Sequence, residues 1–184
     1  KGLSYTGALR VLRVMMGYDY LWLQVRVKGG AYGCMSNFSK EGTSYFVSYR
    51  DPNLSQTLDT YEKAPEYLRG FTADEDTMTK YIIGTLGNMD TPLYPEAKGH
   101  RAMAIYLKKL SIEDLQAERD EILNATDADI RKLADLVESV LSDACICVIG
   151  NENNIVFYTD KDDNVNVEVI LQNEDVWLNI LSLT

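Results

Sequence analysis

Helical patterns fill the middle of this chain and leave room for only a few strands. Apolar residues recur there at helical spacing, as in Leu54, Leu58 and Tyr61. Two short runs rich in β-branched and apolar residues flank this helical stretch, at Ser44–Tyr49 and at 144–149. Such a chain has to cover a small sheet with many helices, because each amphipathic helix must bury its apolar stripe. We therefore predict an α+β fold in which helices pack on one face of an antiparallel sheet.

Two helices are predicted before the first strand. Residues 5–17 carry a run of apolar side chains with a glycine at its end, which indicates a helix stopped by that glycine. Residues 19–28 alternate apolar and polar side chains, which is compatible with a strand. We favour a helix, because a glycine turn follows and because a better strand comes later. A strand at 31–38 is expected to form a hairpin with that later strand, turning at 40–42.

The segment between the two β-forming runs predicts several helices with recognisable first turns. A Ser or Thr followed three residues later by an acidic residue, the capping-box pattern, occurs at Thr72, Ser111 and Thr126. Another helix is expected over 96–109. The last helix is the clearest, because its apolar stripe runs from Leu133 to Leu141.

The composition excludes several classes of function. The chain has 184 residues, 46% of them hydrophobic, which suits one sizeable core. Its net charge of −10 argues against a nucleic-acid partner, because phosphate backbones are bound by Lys and Arg. No apolar run reaches about eighteen residues, so we expect no membrane span. The first residue is Lys rather than Met, which suggests a fragment of a longer protein or a processed chain.

The histidine and cysteine residues do not form a catalytic or metal site by themselves. The single histidine, His100, rules out a two-histidine zinc site within this chain, and we expect it to be exposed near a helix start. A cysteine–histidine pair has no local support but stays open. Cys145 and Cys147 should share one face of a strand, and with Cys34 they are expected to be buried free thiols. Free thiols indicate a reducing compartment.

The stretch from Arg26 to Gly33 places an arginine, a glycine pair and a tyrosine within a few residues. Glycine pairs let a backbone bend sharply or approach a ligand closely. Together with other segments, this stretch resembles the C-terminal part of pitrilysin/insulinase-type zinc metallopeptidases, specifically the presequence-protease branch. The matching segments, in family order over about residues 5–152, are 21–33, 48–54, 57–58, 82–85, 98–99, 121–123 and 148–151.

This resemblance implies a LuxS/MPP-like domain that closes a peptide-degrading chamber, with the zinc ion and its HxxEH motif in the N-terminal half of the enzyme. It implies that Arg26 and Tyr32 contact the substrate and the transition state, and that Gly29 and Gly30 let the chain pass close to the peptide. The chain itself would hold no metal or cofactor. Its partners would be a peptide substrate and the N-terminal zinc-bearing half.

Other interpretations of the same residues stay open. Arg26 could form a surface salt bridge, and Tyr32 could be a half-buried strand aromatic. In place of a role in catalysis, the domain could be a catalytically inert binding or assembly module of the same fold. Such a module would show no activity when supplied with the zinc-bearing half, and it would expose an apolar docking face.

The last part of the chain differs in composition. Residues 151–184 hold seven acidic residues and one basic residue, which gives −6 of the net charge of −10. We therefore divide the chain into a peptidase-family domain, residues 1–152, and a β-rich tail, residues 153–184. The tail resembles the opening of RhuM-like bacterial virulence-associated proteins, and we assign it no function. We expect it to add strands at a sheet edge or to be loosely attached. Alternating apolar residues predict a meander of strands at 155–159, 165–171 and 176–181.

Overall fold

The computed structural model describes residues 4–142, 144–149, 167–169 and 177–182. Five strands of these described residues form one sheet, in the order β1-β2-β5-β3-β4. Neighbouring strands are antiparallel except for β3 and β4, which are parallel. The strands are β1 (Gly33–Phe38), β2 (Ser44–Tyr49), β3 (Cys145–Ile149), β4 (Val167–Val169) and β5 (Trp177–Ser182). The chain is thus an α+β fold, as predicted.

The predicted hairpin is present as β1 and β2. Phe38 pairs with Ser44, and the turn between them is closed by a hydrogen bond that the Ser39 N–H donates to the Thr43 carbonyl. Gly42 supplies the left-handed backbone that this turn needs, with φ of 91°. Alternate residues of β2 are buried, and Phe46 is completely buried. One face of the hairpin therefore lies against the helices, as the alternation in sequence predicts.

The tail adds two strands to the sheet: β4 lies at the edge, as expected, whereas β5 lies in the interior of the sheet, which differs from the expected edge position. β5 pairs antiparallel with both β2 and β3, where Ile180 is the partner of Phe46 on one side and of Ile146 on the other. An inserted strand satisfies the backbone groups of both neighbours at once, which an edge strand cannot do. Because β3 separates β4 from β5, these two strands do not form the predicted meander. The strand expected at 155–159 lies outside the described residues.

Helices surround the buried face of the sheet. They are α1 (Ala8–Met15), α2 (Leu54–Glu62), α3 (Ala64–Arg69), α4 (Glu75–Met89), α5 (Pro95–Leu107), α6 (Ile112–Leu123), α7 (Asp127–Lys132) and α8 (Ala134–Ser142). After α1 the chain continues helically as two wide-turn π-helices, Met16–Tyr20 and Trp22–Lys28, which we call the π segment. The helix predicted over 19–28 is therefore confirmed in kind. The predicted stop at Gly17 is wrong, because the helix runs through that residue.

Two of the three predicted capping boxes are confirmed. The side chains of Ser111 and Thr126 each accept a hydrogen bond from a backbone N–H three residues later. In return, the backbone N–H of each cap residue donates to the acidic side chain at that later position. The box at Thr72 is wrong, because Asp74 caps α4 by accepting from the Thr77 N–H. The long last helix is also divided, and Leu133 separates α7 from α8.

The core forms where α1 and the π segment meet the hairpin and α2. Its largest completely buried side chains include Tyr61, Phe46 and Leu12. The cysteines differ from the expectation of buried thiols, because Cys34 and Cys147 are half-buried and Cys145 is exposed. The boundary at residue 152 stays a prediction.

Candidate functional site

A tight turn joins the end of the π segment to β1. The N–H groups of Gly29 and Gly30 donate to the carbonyls of Gln24 and Arg26, each at 3.0 Å, and so they close the last helical turn. Gly30 has φ of +80°, a conformation that other residues seldom adopt. A Cβ atom on Gly29 would lie 2.5 Å from the Val25 carbonyl oxygen. Both positions therefore require glycine for the turn itself.

A second loop holds this turn against the hairpin. The side-chain amide of Asn53 donates to the Gly29 carbonyl at 2.7 Å. The Tyr32 N–H donates to the carbonyls of Tyr49, the last residue of β2 (3.0 Å), and of Arg50, the residue after it (3.3 Å). Asp51 shapes the loop, because its Oδ1 accepts from the Asn53 N–H at 2.9 Å. The turn and the loop are thus fixed to each other at both ends.

Arg26 lies on the π segment and is half-exposed. Its guanidinium carbon lies 3.9 Å from the centre of the Trp22 ring, one helical turn earlier. A guanidinium stacked on an indole keeps the edges of its fork available for hydrogen bonds, because the ring covers only its face. The arrangement is therefore one in which Arg26 can offer paired donors to an outside group.

Tyr32 follows the turn and is 64% exposed. Its ring stands perpendicular to the ring of Tyr49, with centroids 5.7 Å apart. The guanidinium carbon of Arg50 lies 5.8 Å from the Tyr32 ring centre. Tyr32 is thus not the half-buried aromatic of the alternative interpretation, and it is open to a molecule that approaches the turn.

Three polar side chains of this region, Cys34, Tyr61 and Asp51, are wholly or partly buried. Burial raises the pKa of the Cys34 thiol to about 11, and Asp51 adds to the rise while the positive charge of Arg26 opposes it. Burial likewise raises the pKa of the Tyr61 hydroxyl. Asp51 is 4% exposed, and its Oδ2 has no hydrogen-bond partner in the described part of the chain. Cys34 therefore remains a neutral thiol at neutral pH, which does not suit a nucleophile.

The described residues offer no place for a metal ion. Among them, no three His, Cys, Asp or Glu side chains are grouped so that they could bind one. His100 is exposed on α5, as expected. A zinc ion therefore does not fit the donor set of this part of the chain. Separately, within the described residues no helix combines the length and the apolar run that spanning a bilayer needs.

Sequence reasoning missed several residues of this site. Trp22, Tyr49, Arg50 and Asn53 were not named as site residues, although they contact Arg26, Tyr32 or Gly29 directly. The run Arg50-Asp51-Pro52-Asn53 carried a signal, because Asp, Pro and Asn together indicate a structured turn. The contact of that turn with the glycine pair is tertiary, and local patterns do not report it.

Comparisons with a family model and with curated proteins point to the same family. The family model described as the PreP C-terminal domain matches residues 1–152. The protein HypA of Clostridium perfringens is 48% identical over 164 residues, which is 89% of this chain and 17% of that protein. Presequence protease 1, chloroplastic/mitochondrial, of Arabidopsis thaliana is 36% identical over 155 residues, 84% of this chain and 14% of that protein.

A third relative is the mitochondrial presequence protease of Drosophila melanogaster, 33% identical over 125 residues, 67% of this chain and 12% of that protein. The chain thus spans less than a fifth of the length of each of these relatives. The family model covers most of the chain, and the relatives carry the same family's name or match the same region. The chain belongs to the PreP C-terminal domain family, the C-terminal domain of presequence-protease-like proteins of the pitrilysin family.

Proposed function

We propose that this chain completes the active site of a peptide-degrading zinc enzyme by supplying Arg26 and Tyr32 to a cleavage centre in another part of the protein. The observation that carries the proposal is that Tyr32 is exposed and Arg26 half-exposed, at the two ends of one glycine turn. Membership of the presequence-protease family supports it. The zinc ion would be bound in the N-terminal half, because the described residues of this chain offer no ligand set.

The two side chains suit the charge that develops in peptide hydrolysis. The Arg26 guanidinium presents two parallel N–H donors, which match the carbonyl oxygens of an extended peptide. The Tyr32 hydroxyl can donate to the carbonyl oxygen of the scissile bond as that oxygen becomes an oxyanion. Gly29 and Gly30 carry no side chain, so the peptide backbone can approach the turn closely. Binding and transition-state stabilisation would thus be divided between the two ends of the turn.

The partner and the location follow from the same proposal. The partner is the N-terminal zinc-bearing half, and the substrate class is peptides. Relatives are found both in a bacterium and among proteins whose names place them in mitochondria or chloroplasts. For this chain we propose the bacterial cytoplasm, with an organelle as the alternative.

The test is peptide turnover by the complete enzyme, this chain together with the zinc-bearing half. In the variant Tyr32→Phe, kcat/KM should fall by about 100- to 1000-fold, the usual cost of one oxyanion donor. Arg26→Gln should raise KM, because it removes the forked donor. The matched control is Tyr106→Phe, which removes a hydroxyl of the same kind from a residue that is 81% exposed on α5. Unchanged turnover in Tyr32→Phe would rule out the proposal.

A second candidate is an inert binding or assembly module, and one observation favours it. Helix α5 has no buried residue, and it exposes Met103, Tyr106 and Leu107. An exposed apolar face of this kind is typical of a surface that docks on another protein. This candidate predicts no peptide turnover even with the zinc-bearing half present, so the same assay distinguishes the two functions.

A further inference from the structure

The backbone at Arg50 is in a conformation that arginine seldom adopts. Its φ is 49°, in the left-handed region that favours glycine. Lys109 also has a positive φ (54°), but it lies just after the end of α5, where a left-handed residue commonly terminates a helix. Arg50 follows a strand instead. Strained backbone of this kind persists where the surrounding structure demands it, and it is concentrated at functional sites.

The conformation of Arg50 brings three contacts to Tyr32 at once. It directs two successive carbonyls, those of Tyr49 and Arg50 itself, at the Tyr32 N–H. It also places the guanidinium carbon 5.2 Å from the Tyr49 ring centre and 5.8 Å from the Tyr32 ring centre. The two rings meet edge to face. Tyr32 is therefore held by its backbone and at its ring, although most of its surface is exposed.

The same loop is anchored at the other end of the glycine turn. Asp51 is buried, and Asn53 hydrogen-bonds to the Gly29 carbonyl. Pro52 also approaches the turn, because its Cγ would lie 3.4 Å from a Cβ atom on Gly30. The loop thus fixes the turn along its whole length, and Arg50 is the member of the loop that reaches the tyrosine ring.

We infer that Arg50 is a positioning residue that orients the Tyr32 phenol for the reaction. The inference rests on the proposed function, because it gives a task to Arg50 only if Tyr32 acts on the substrate. A guanidinium held over two aromatic faces restricts the rotation of an otherwise exposed side chain. Fixed orientation matters because a donor displaced by about 1 Å can cost a factor of about 100 in rate.

The first test is Arg50→Gly in the complete enzyme. Glycine adopts the left-handed backbone without strain, so the melting temperature should stay the same or rise. The guanidinium is lost, so kcat should fall by about 10- to 100-fold while KM stays within about twofold. Lys109→Gly is the matched control, because it relieves the same backbone strain away from the site and should leave kcat unchanged. A purely structural role for Arg50 would move the melting temperature and leave kcat in place.

A second variant and a double variant make the result decisive. Tyr49→Leu keeps the strained backbone of Arg50 but removes the ring beneath its guanidinium, and it should also lower kcat. If Arg50 acts through Tyr32, then Arg50→Gly should cause no further loss in a Tyr32→Phe background. Normal kcat in both Arg50→Gly and Tyr49→Leu, with Tyr32→Phe impaired, would overturn this inference alone. Normal turnover in Tyr32→Phe would overturn the proposed function.

Discussion

Helices α1 and α5 are both largely apolar, yet they relate to the rest of the molecule in opposite ways. Six of the eight residues of α1 are buried, whereas none of the thirteen residues of α5 is. Helix α1 packs against α4, α6, α7 and β1. Helix α5 lines a cavity of about 520 Å³ with residues such as Ala97 and Ile105, and Leu9 and Arg10 of α1 line the same cavity.

The difference shows that burial is decided by what surrounds a helix, not by its apolar content alone. In α1 the buried residues form a continuous stripe that the sheet and three helices cover. In α5 the large side chains Met103, Tyr106 and Leu107 point to solvent. Helix α1 and the π segment that continues it therefore carry the stability of the fold and the candidate site. Helix α5 contributes surface.

The largest expected effect is a loss of stability when α1 loses a buried side chain. Leu12 is completely buried, so Leu12→Ala should lower the free energy of unfolding by about 2–5 kcal/mol, because it leaves a cavity. The matched variant Leu107→Ala changes a residue that is 69% exposed on α5 and should change stability by less than about 0.5 kcal/mol. Urea unfolding of the chain measures both. Similar losses in the two variants would show that the contrast between the helices is wrong.

The π segment and α5 also differ in the space around their glycines, which decides whether an alanine is tolerated there. A Cβ atom on Gly29, at the end of the π segment, would lie 2.5 Å from a backbone oxygen, so Gly29→Ala should cost about 1–3 kcal/mol. A Cβ atom on Gly99, within α5, would meet no atom within 4 Å. Gly99→Ala should therefore stabilise the chain by about 0.5–1 kcal/mol, because alanine favours the helix. Thermal unfolding of the two variants should shift in opposite directions, and a shift in the same direction would contradict this account.

The sequence predicted the parts of the molecule that depend on local patterns. The hairpin follows from alternation in Ser44–Tyr49, and the caps at Ser111 and Thr126 follow from residues three apart. The π segment was predicted only as a helix, because a few apolar residues do not distinguish wide turns from α-helical ones.

The remaining features depend on contacts between distant residues. The place of β5 inside the sheet depends on pairing with strands far away in sequence. The position of Arg50 over Tyr32 is likewise a contact between two loops. The roles of Arg26 and Tyr32 were inferred from a family resemblance, and the structure supplies their exposure and the loop that holds them.

The last expected effect depends on pH and concerns one ion pair at each of the two helices. At α1, Arg10 Nε and the Tyr5 hydroxyl each donate to Glu118 Oε1 at 2.7 Å, and the Glu118 side chain is only 11% exposed. Burial alone would raise the pKa of Glu118, but these two hydrogen bonds together with the positive charges of Arg10 and Lys40 outweigh it, and the pKa is lowered. Beyond the end of α5, Lys108 pairs with Glu41, and both side chains are about half exposed.

Because the folded state favours the ionised form of Glu118, its contribution to stability is complete above the unfolded pKa of about 4.3. It is lost as the pH falls through the lowered folded value. At pH 7, Glu118→Gln should therefore cost about 1–3 kcal/mol, and its difference from the parent chain should shrink below about pH 4. Glu41→Gln should cost at most about 1 kcal/mol at any pH, since solvent screens its exposed pair. Urea unfolding between pH 7 and pH 3 tests both variants. A Glu118→Gln difference that persists at pH 3 would mean that shape, and not charge, joins α6 to α1.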